Sequence, residues 1–150
     1  MNRVRKVANA VLVCRGKAAL QHRDALTRVY PNFWGLFGGA LGPEETAVQG
    51  MIREVSEELG ISLTKVRPIG MCLERPSRLN ERTAITVHVF CADITRLWPR
   101  RRLSEGQGCA LFSWPAIEAM KNSITPMAFK ILENHFGVGS HDLYTQAARP

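Results

Sequence analysis

Apolar and polar positions alternate along the chain in a way that predicts both strands and helices. Five short segments are rich in β-branched and other apolar residues and are bounded by turn residues, which is typical of strands. They are residues 7–14, 18–23, 66–73, 83–93 and 110–114. Turn residues join the first two segments and a charged connection at residues 74–82 joins the next two, so each pair is predicted to form a hairpin.

Residues 47–59 have the apolar spacing of an amphipathic helix. Thr46 and Gln49 have the spacing of a capping box before this helix, and Gly60 suits the left-handed conformation that ends one. One sector of the helix is expected to pack inwards while an adjoining sector presents acid. The inward residues are predicted to be Val48, Met51, Ile52, Val55 and Leu59.

Two shorter helical patterns, at residues 115–121 and 126–135, follow the strands, and residues 24–37 read as a structured loop. This order predicts an α+β fold with helices packed on a mixed sheet. A chain of 150 residues with 45% hydrophobic and 22% charged residues suits one globular domain. We expect the domain to span residues 1–136 and residues 137–150 to form a flexible tail.

The sequence shows no sign of a membrane segment or of a secreted protein. No apolar run approaches the roughly 18 residues that a spanning helix needs, and the basic start lacks the features of a signal peptide. The four cysteines form no C-x-x-C pair, and no histidines cluster with them. We therefore expect a cytoplasmic protein with reduced thiols; a disulfide framework is the alternative reading.

The net charge of +7 suits an anionic partner such as a nucleotide or a nucleic acid. The densest basic cluster, residues 100–102, follows Trp98 and Pro99 and has at most one neighbouring aromatic. That composition is more typical of a solvated loop than of a nucleic-acid groove. A nucleic-acid partner is therefore the less favoured interpretation of this charge.

Three glutamates, Glu54, Glu57 and Glu58, fall within five residues of the predicted helix. Like charges this close destabilise a helix unless something neutralises them. Hard carboxylate oxygens at this spacing suit Mg²⁺ or Mn²⁺ held together with phosphate oxygens and water. A solvated acidic face is the alternative, and charge spacing alone does not separate the two.

The glutamates belong to a longer motif, G-x5-E-x7-R-E-U-x-E-E-x-G-U, where U is a bulky apolar residue. Its positions are filled in order by Gly39, Glu45, Arg53, Glu54, Val55, Glu57, Glu58, Gly60 and Ile61. Seven fixed and two apolar positions would match by chance on the order of once in 10⁹ starting positions. The motif closely resembles the Nudix box, the signature of the Nudix hydrolase superfamily, which includes MutT-like proteins.

The resemblance implies the Nudix fold, an α/β/α sandwich around a mixed sheet, in which the box forms a loop, a helix and a loop. It implies Mg²⁺-dependent hydrolysis of a nucleoside diphosphate linked to another moiety X, with Mn²⁺ as a second candidate ion. Dimers are frequent in the family, so a homodimer is an open expectation, although no residue here identifies an interface.

The resemblance also implies roles for single residues. Glu54, Glu57 and Glu58 resemble the metal ligands of the family, and Arg53 resembles the arginine that orients them. The general base of the family is a box glutamate or a glutamate from a later loop. Glu54 is therefore the first candidate and Glu105 the second, with Glu105 as simple loop surface the alternative.

Other residues are candidates for substrate binding. Gly38 and Gly39 let the backbone approach phosphate closely, where a side chain would be in the way. Arg23 could clamp phosphate, as could three arginines of the second hairpin loop, Arg75, Arg78 and Arg82. Trp34, with Phe33, could stack a base. Packing and loop solubility are the alternative roles of these aromatics and arginines.

The sequence departs from the family pattern at three positions. Gly42 stands where the family often has another glutamate, Glu44 where it often has a glycine, and Phe37 where it often has a proline. We expect a turn of different shape between the glycines and the helix.

Three functions follow from these observations. The first is a pyrophosphohydrolase of a nucleoside diphosphate derivative, such as a nucleotide sugar or an ADP-ribose type. The second is a housecleaning pyrophosphatase of oxidised or noncanonical (d)NTPs. The third, from another class, is a non-catalytic nucleotide-binding or RNA-associated module, against which the intact glutamate cluster argues.

Overall fold

The computed structural model describes residues 4–74 and 84–137. Within these residues, seven strands and three α-helices are present. The strands are β1 Val4–Cys14, β2 Lys17–His22, β3 Trp34–Gly35, β4 Phe37–Ala40, β5 Arg67–Glu74, β6 Ala84–Asp93 and β7 Gly108–Phe112. The helices are α1 Ala47–Leu59, α2 Trp114–Ala119 and α3 Pro126–Phe136.

β1 is the central strand of one mixed sheet, with the order β3-β2-β1-β6-β5. It pairs in parallel with β6 along ten residues, from Val4 to Val13. On its other edge, residues 7–10 pair with β4 and residues 12–14 pair with β2, both antiparallel. β7 lies beside β2. A single strand therefore aligns the glycine turn of β4 with the residues of β2.

Helices pack on both faces of the sheet, which confirms the α/β/α sandwich of the predicted α+β fold. On one face, Met51, Val55 and Leu59 of α1 pack with the even-numbered side chains of β1 and with Phe37 and Phe90. On the opposite face, apolar residues of α2 and α3 pack with Val11, Leu20 and the odd-numbered residues of β6; the helical residues are Ile117, Ala128, Phe129, Ile131 and Leu132.

The local signals around α1 determine its bounds as predicted. The Gln49 amide donates to the Thr46 hydroxyl at 3.2 Å and the Thr46 amide donates to the Gln49 side chain at 3.0 Å, which is a complete capping box. Gly60 adopts φ 62°, and its amide donates to Ser56 O. Adjacent residues thus define where the helix begins and ends.

The predicted inward sector of α1 was wrong at one end. Val48 is 39% exposed, because the helix is instead covered at Gly50, where Leu41 and Glu45 of the preceding loop make contact. Glu58 is buried although the acidic sector was expected to lie outside. The packed face is therefore rotated towards the acidic residues.

Other boundaries shift by a few residues. The predicted strand at residues 110–114 is β7, which ends at Phe112, and Trp114 begins α2 because Ser113 accepts from the Ala116 amide as an N-cap. The expected loop at residues 24–37 contains β3 and the start of β4. Within the connection at residues 74–82, only Glu74 is described, and the predicted tail lies outside the described residues beyond Gly137.

All four cysteines, Cys14, Cys72, Cys91 and Cys109, are free thiols, as predicted. In the described part of the chain, no helix combines the length and the apolar character needed to cross a membrane.

The capping box predicts a measurable contribution of Thr46 to stability. Thr46→Ala removes the hydroxyl that accepts from Gln49 and should lower the free energy of unfolding by about 1 kcal/mol, measured by urea denaturation. Ser56→Ala is the matched control, because this exposed residue lies inside the same helix and alanine is the better helix former. Equal effects of the two substitutions would contradict the prediction.

Candidate active site

The glycine turn of β4 lies against the glutamates of α1. The Gly38 amide donates to Glu58 Oε1 at 3.1 Å. Gly38 has φ +143°, and a Cβ there would lie 2.0 Å from the Ala8 carbonyl oxygen. A Cβ on Gly39 would lie 2.5 to 2.7 Å from the carboxyl atoms of Glu54. Gly38 therefore excludes a side chain, and a side chain at position 39 would displace the carboxyl end of Glu54.

One guanidinium organises the acidic residues. Arg53 Nε and Nη2 bind the two carboxylate oxygens of Glu45 at 2.7 and 3.0 Å. Arg53 Nη1 binds Glu54 Oε1 at 3.0 Å and Glu57 Oε2 at 3.1 Å. Nη2 also donates to the Ala40 carbonyl at 3.2 Å. Arg53 thus ties the loop before α1 to two of the predicted ligands.

These contacts shift the pKa values of Glu45 and Arg53 in opposite directions. Hydrogen bonds from the Arg53 side chain and from the Gly42 amide lower the pKa of Glu45 to about 2. The same carboxylates, Glu45 foremost, raise the pKa of Arg53 above its ordinary value. The Gly42 amide donates to Glu45 Oε2 at 2.9 Å, so the backbone at Gly42 helps to hold Glu45.

Glu58 is the buried member of the cluster, with 3% exposure, whereas the side chain of Glu57 is 59% exposed. Burial raises the pKa of Glu58 to about 8, and the nearby charges of Glu105 and Glu54 act in the same direction. Hydrogen bonds from the Gly38 amide and the Gln21 side chain oppose the shift. The ionised form of Glu58 is therefore disfavoured unless a positive charge lies beside it.

The structure brings most of the predicted site residues together. Glu105, which lies far along the chain, is close enough to Glu58 to perturb its pKa. The other predicted site residues that contact one another belong to the glycine turn and to α1. They are Gly38, Gly39, Arg53, Glu54, Glu57 and Glu58.

Two predicted substrate-binding residues have other contacts. Arg23 donates to the carbonyls of Val29 at 3.0 Å and Tyr30 at 3.3 Å, so its guanidinium holds the following loop. Trp34 stacks on His22, with 4.6 Å between ring centroids, and packs with the core on the α2 and α3 side of the sheet. Neither residue joins the glutamate cluster through these contacts.

The remaining substrate-binding candidates are Phe33 and three arginines. Phe33 packs on Tyr30, with 5.2 Å between ring centroids. The three arginines of the second hairpin loop, Arg75, Arg78 and Arg82, lie outside the described residues.

Sequence reasoning missed Gln21, which is buried and hydrogen-bonds with the site. The available signal was strand periodicity. Gln21 lies two residues after Ala19, so the alternation of β2 places both on the face towards α1. A polar residue at an inward position of a strand needs a polar partner.

The site residues fit a divalent cation. Among residues 4–74 and 84–137, no three His, Cys, Asp or Glu side chains already form a metal-binding group. The reason is that Arg53 holds the carboxylates of Glu54 and Glu57, while Glu58 accepts from the Gly38 amide. The donors are nevertheless carboxylate oxygens, which Mg²⁺ and Mn²⁺ prefer, and the pKa of Glu58 is raised in part by its acidic neighbours.

The comparisons with known proteins agree with this geometry. The NUDIX domain model matches residues 4–134. The chain therefore belongs to the Nudix family, and its class is that of hydrolases acting on pyrophosphate bonds. No curated protein sequence matches it significantly.

Solved structures share the fold. A MutT protein from Methanosarcina mazei Go1 is 22% identical, with a TM-score of 0.74 over 90% of this chain and 94% of its own. A Nudix hydrolase from Nitrosomonas europaea is 24% identical, with a TM-score of 0.74 over 89% and 88%. A bifunctional NMN adenylyltransferase/ADP ribose pyrophosphatase from Francisella tularensis is 19% identical, with a TM-score of 0.66 over 88% of this chain and 40% of its own.

The contact of Gly39 with Glu54 predicts a loss of activity without a large loss of stability. In Gly39→Ala the new methyl group displaces the flexible carboxyl end of Glu54, so kcat should fall about tenfold or more while the thermal midpoint changes little. Gly42→Ala is the matched control, because a Cβ there meets Glu45 only at 3.6 Å. Similar rates for the two variants would contradict this role of Gly39.

The raised pKa of Glu58 predicts a pH-dependent stability of the metal-free protein. The unfolded chain loses this proton near pH 4.5 and the folded chain near pH 8, so stability falls as the pH rises between these values. We therefore compare the free energies of unfolding of Glu58→Gln and the wild type in EDTA by urea denaturation. Between pH 5 and pH 8 the difference should change by roughly 2 to 4 kcal/mol in favour of the variant. Parallel stability curves for Glu58→Gln and the wild type would refute the assignment of this pH dependence to Glu58.

Proposed function

We propose that the chain is a metal-dependent Nudix pyrophosphohydrolase that cleaves the diphosphate bond of a nucleoside diphosphate linked to another moiety X. The products are a nucleoside monophosphate and a phosphorylated X. The observation that carries this proposal is the arrangement of three carboxylates at one glycine turn: Arg53 holds Glu54 and Glu57, and the Gly38 amide holds Glu58.

Glu54, Glu57 and Glu58 would hold Mg²⁺ or Mn²⁺. A bound divalent ion neutralises phosphate charge and lowers the pKa of coordinated water. The Francisella tularensis protein of the same fold, which is 18% identical to this chain, was solved in complex with AMP and a Mn ion. This supports a divalent ion as the cofactor.

The other residues of the cluster have separate tasks. Arg53 orients Glu54 and Glu57 through its Nη1 contacts. The Gly38 and Gly39 backbone leaves room for a phosphate beside the carboxylates. Glu54 is the first candidate to accept the proton of the attacking water, and Glu105 is the second.

The second candidate function is a housecleaning pyrophosphatase of oxidised or noncanonical (d)NTPs, which would release pyrophosphate. The similarity in fold to the Methanosarcina mazei MutT protein, over 94% of that chain, is the observation that favours this candidate. A binding module without catalysis remains the third, and the arrangement of the carboxylates by Arg53 argues against it.

We also propose a single Nudix domain within residues 1–136, which the family match over residues 4–134 supports. The cytoplasmic location, the small nucleotide as partner and the homodimer stay predictions.

Product analysis tests the proposed function. Wild type is incubated with a panel of nucleoside diphosphate derivatives and of ordinary and oxidised dNTPs, with Mg²⁺, Mn²⁺ or EDTA. We expect metal-dependent release of a nucleoside monophosphate and phosphorylated X, and at least a ~100-fold loss of kcat in Glu57→Gln. The control is Glu118→Gln, an exposed glutamate of α2.

Each outcome discriminates among the functions. Pyrophosphate released from a dNTP as the best substrate supports the second candidate. Full turnover in EDTA, or equal rates for the two glutamate variants, would sink the metal-dependent mechanism. Nucleotide binding without turnover across the panel would favour the binding module.

A further inference from the structure

The loop at residues 102–107, which carries Glu105, is attached at its start to the end of α1. The Arg102 amide donates to Leu59 O at 2.7 Å, and the Ser104 amide donates to Glu58 O at 3.0 Å. The Ser104 hydroxyl donates to the carbonyl of Glu57. The last carbonyls of a helix have no partner within it, and this loop supplies theirs. The loop is thus built on the turn of α1 that bears two glutamates of the site.

The other end of the same loop is attached to β2. The Gln107 amide donates to His22 O at 2.8 Å, and its side chain donates to Arg23 O at 2.7 Å. Gly106, at φ +87°, has no room for a side chain, since a Cβ would lie 2.7 Å from His22 O and 3.0 Å from Gln21 Cγ. The segment around Glu105 therefore lies tightly against β2.

Gln21 is the side chain that connects these parts. Its Nε2 donates to Glu105 O at 2.9 Å, and its side chain lies close enough to Glu58 to lower the pKa of that carboxyl. Among the described residues, Gln21 and Glu58 are the two buried polar or charged ones, with exposures of 8% and 3%. Buried side-chain amides are normally hydrogen-bonded. The Gln21 amide is hydrogen-bonded to the loop that carries Glu105.

We propose that Gln21 is a positioning residue of the hydrolytic site, which holds the loop carrying Glu105 at a fixed place against Glu58. This inference rests on the proposed function, because it assigns a catalytic contribution to Glu105. Gln21 touches neither the substrate nor the reacting atoms in this role. It acts through the Glu105 backbone and the Glu58 carboxylate.

Steady-state kinetics with a double-mutant cycle tests the role. Gln21→Met keeps the length of the side chain but removes its hydrogen bonds. We expect kcat to fall about 10- to 100-fold with KM changed less than about twofold. The fall should disappear in a Glu105→Gln background, because the residue acts through Glu105. A wild-type kcat in Gln21→Met, or effects of the two substitutions that multiply, would overturn the proposal.

Two further variants separate positioning from general destabilisation. Leu20→Val lies next to Gln21 but faces the opposite core, so it should lower the thermal midpoint while leaving kcat unchanged. Gly106→Ala retains Gln21 but forces the loop away from His22 O, so it should reproduce the fall in kcat at constant KM. A fall in kcat for Leu20→Val that matches its loss of stability would overturn the positioning role.

Amide hydrogen exchange gives a readout that does not depend on activity. In EDTA, Gln21→Met should speed exchange at residues 103–107 about tenfold or more, while the amides of α1 keep their wild-type rates. Unchanged exchange in the loop would overturn the proposal. If the wild type hydrolyses nothing in the panel, the proposed function fails, and the exchange measurement still decides whether Gln21 holds the loop.

Discussion

The structure of the site depends on the hydrogen bonds of one guanidinium. Arg53 contacts three carboxylates and the Ala40 carbonyl at the end of β4, so it connects the turn, the loop before the helix and the helix itself. A planar donor of this kind is suited to bind carboxylates through two atoms at once, which lysine cannot do. The single positive charge offsets only part of the acid around it, and the remaining negative charge is why we propose a divalent ion as the cofactor.

The second constraint is the burial of a carboxylate in the same cluster. Burial of Glu58 opposes its ionisation, and its acidic neighbours add to that cost. The sandwich tolerates this because the Gly38 amide and Gln21 supply hydrogen bonds at the point where α1 meets the sheet. Stability and chemistry therefore compete at one residue. A fold that buried only apolar groups there would lose the most deeply buried carboxylate of the cluster.

Local features of the site could be predicted from the sequence, and long-range ones could not. The bounds of α1 follow from Thr46, Gln49 and Gly60, because capping involves residues only a few positions apart. The Arg53–Glu57 contact follows from helical spacing. Burial of Glu58 depends on Gly38, Gln21 and Glu105, which lie far from it along the chain. The place of Trp34 depends in the same way on β2 and β7. The attachment of Glu105 to Gln21 spans 84 positions of sequence, so no short motif contains it.

The shared edge of β1 has a consequence for transplanting this site. β4 and β2 occupy successive stretches of that edge, so the glycine turn and Gln21 are aligned by the backbone ladder of one strand. Side chains of a strand alternate between faces, and a slip of one residue would send the two sets of groups to opposite sides. Grafting only the 23-residue box onto another scaffold would transfer the carboxylates without β1, the strand that aligns the glycine turn with Gln21. The smallest portable unit is the box together with β1, β2, the whole of β4 and the loop that carries Glu105.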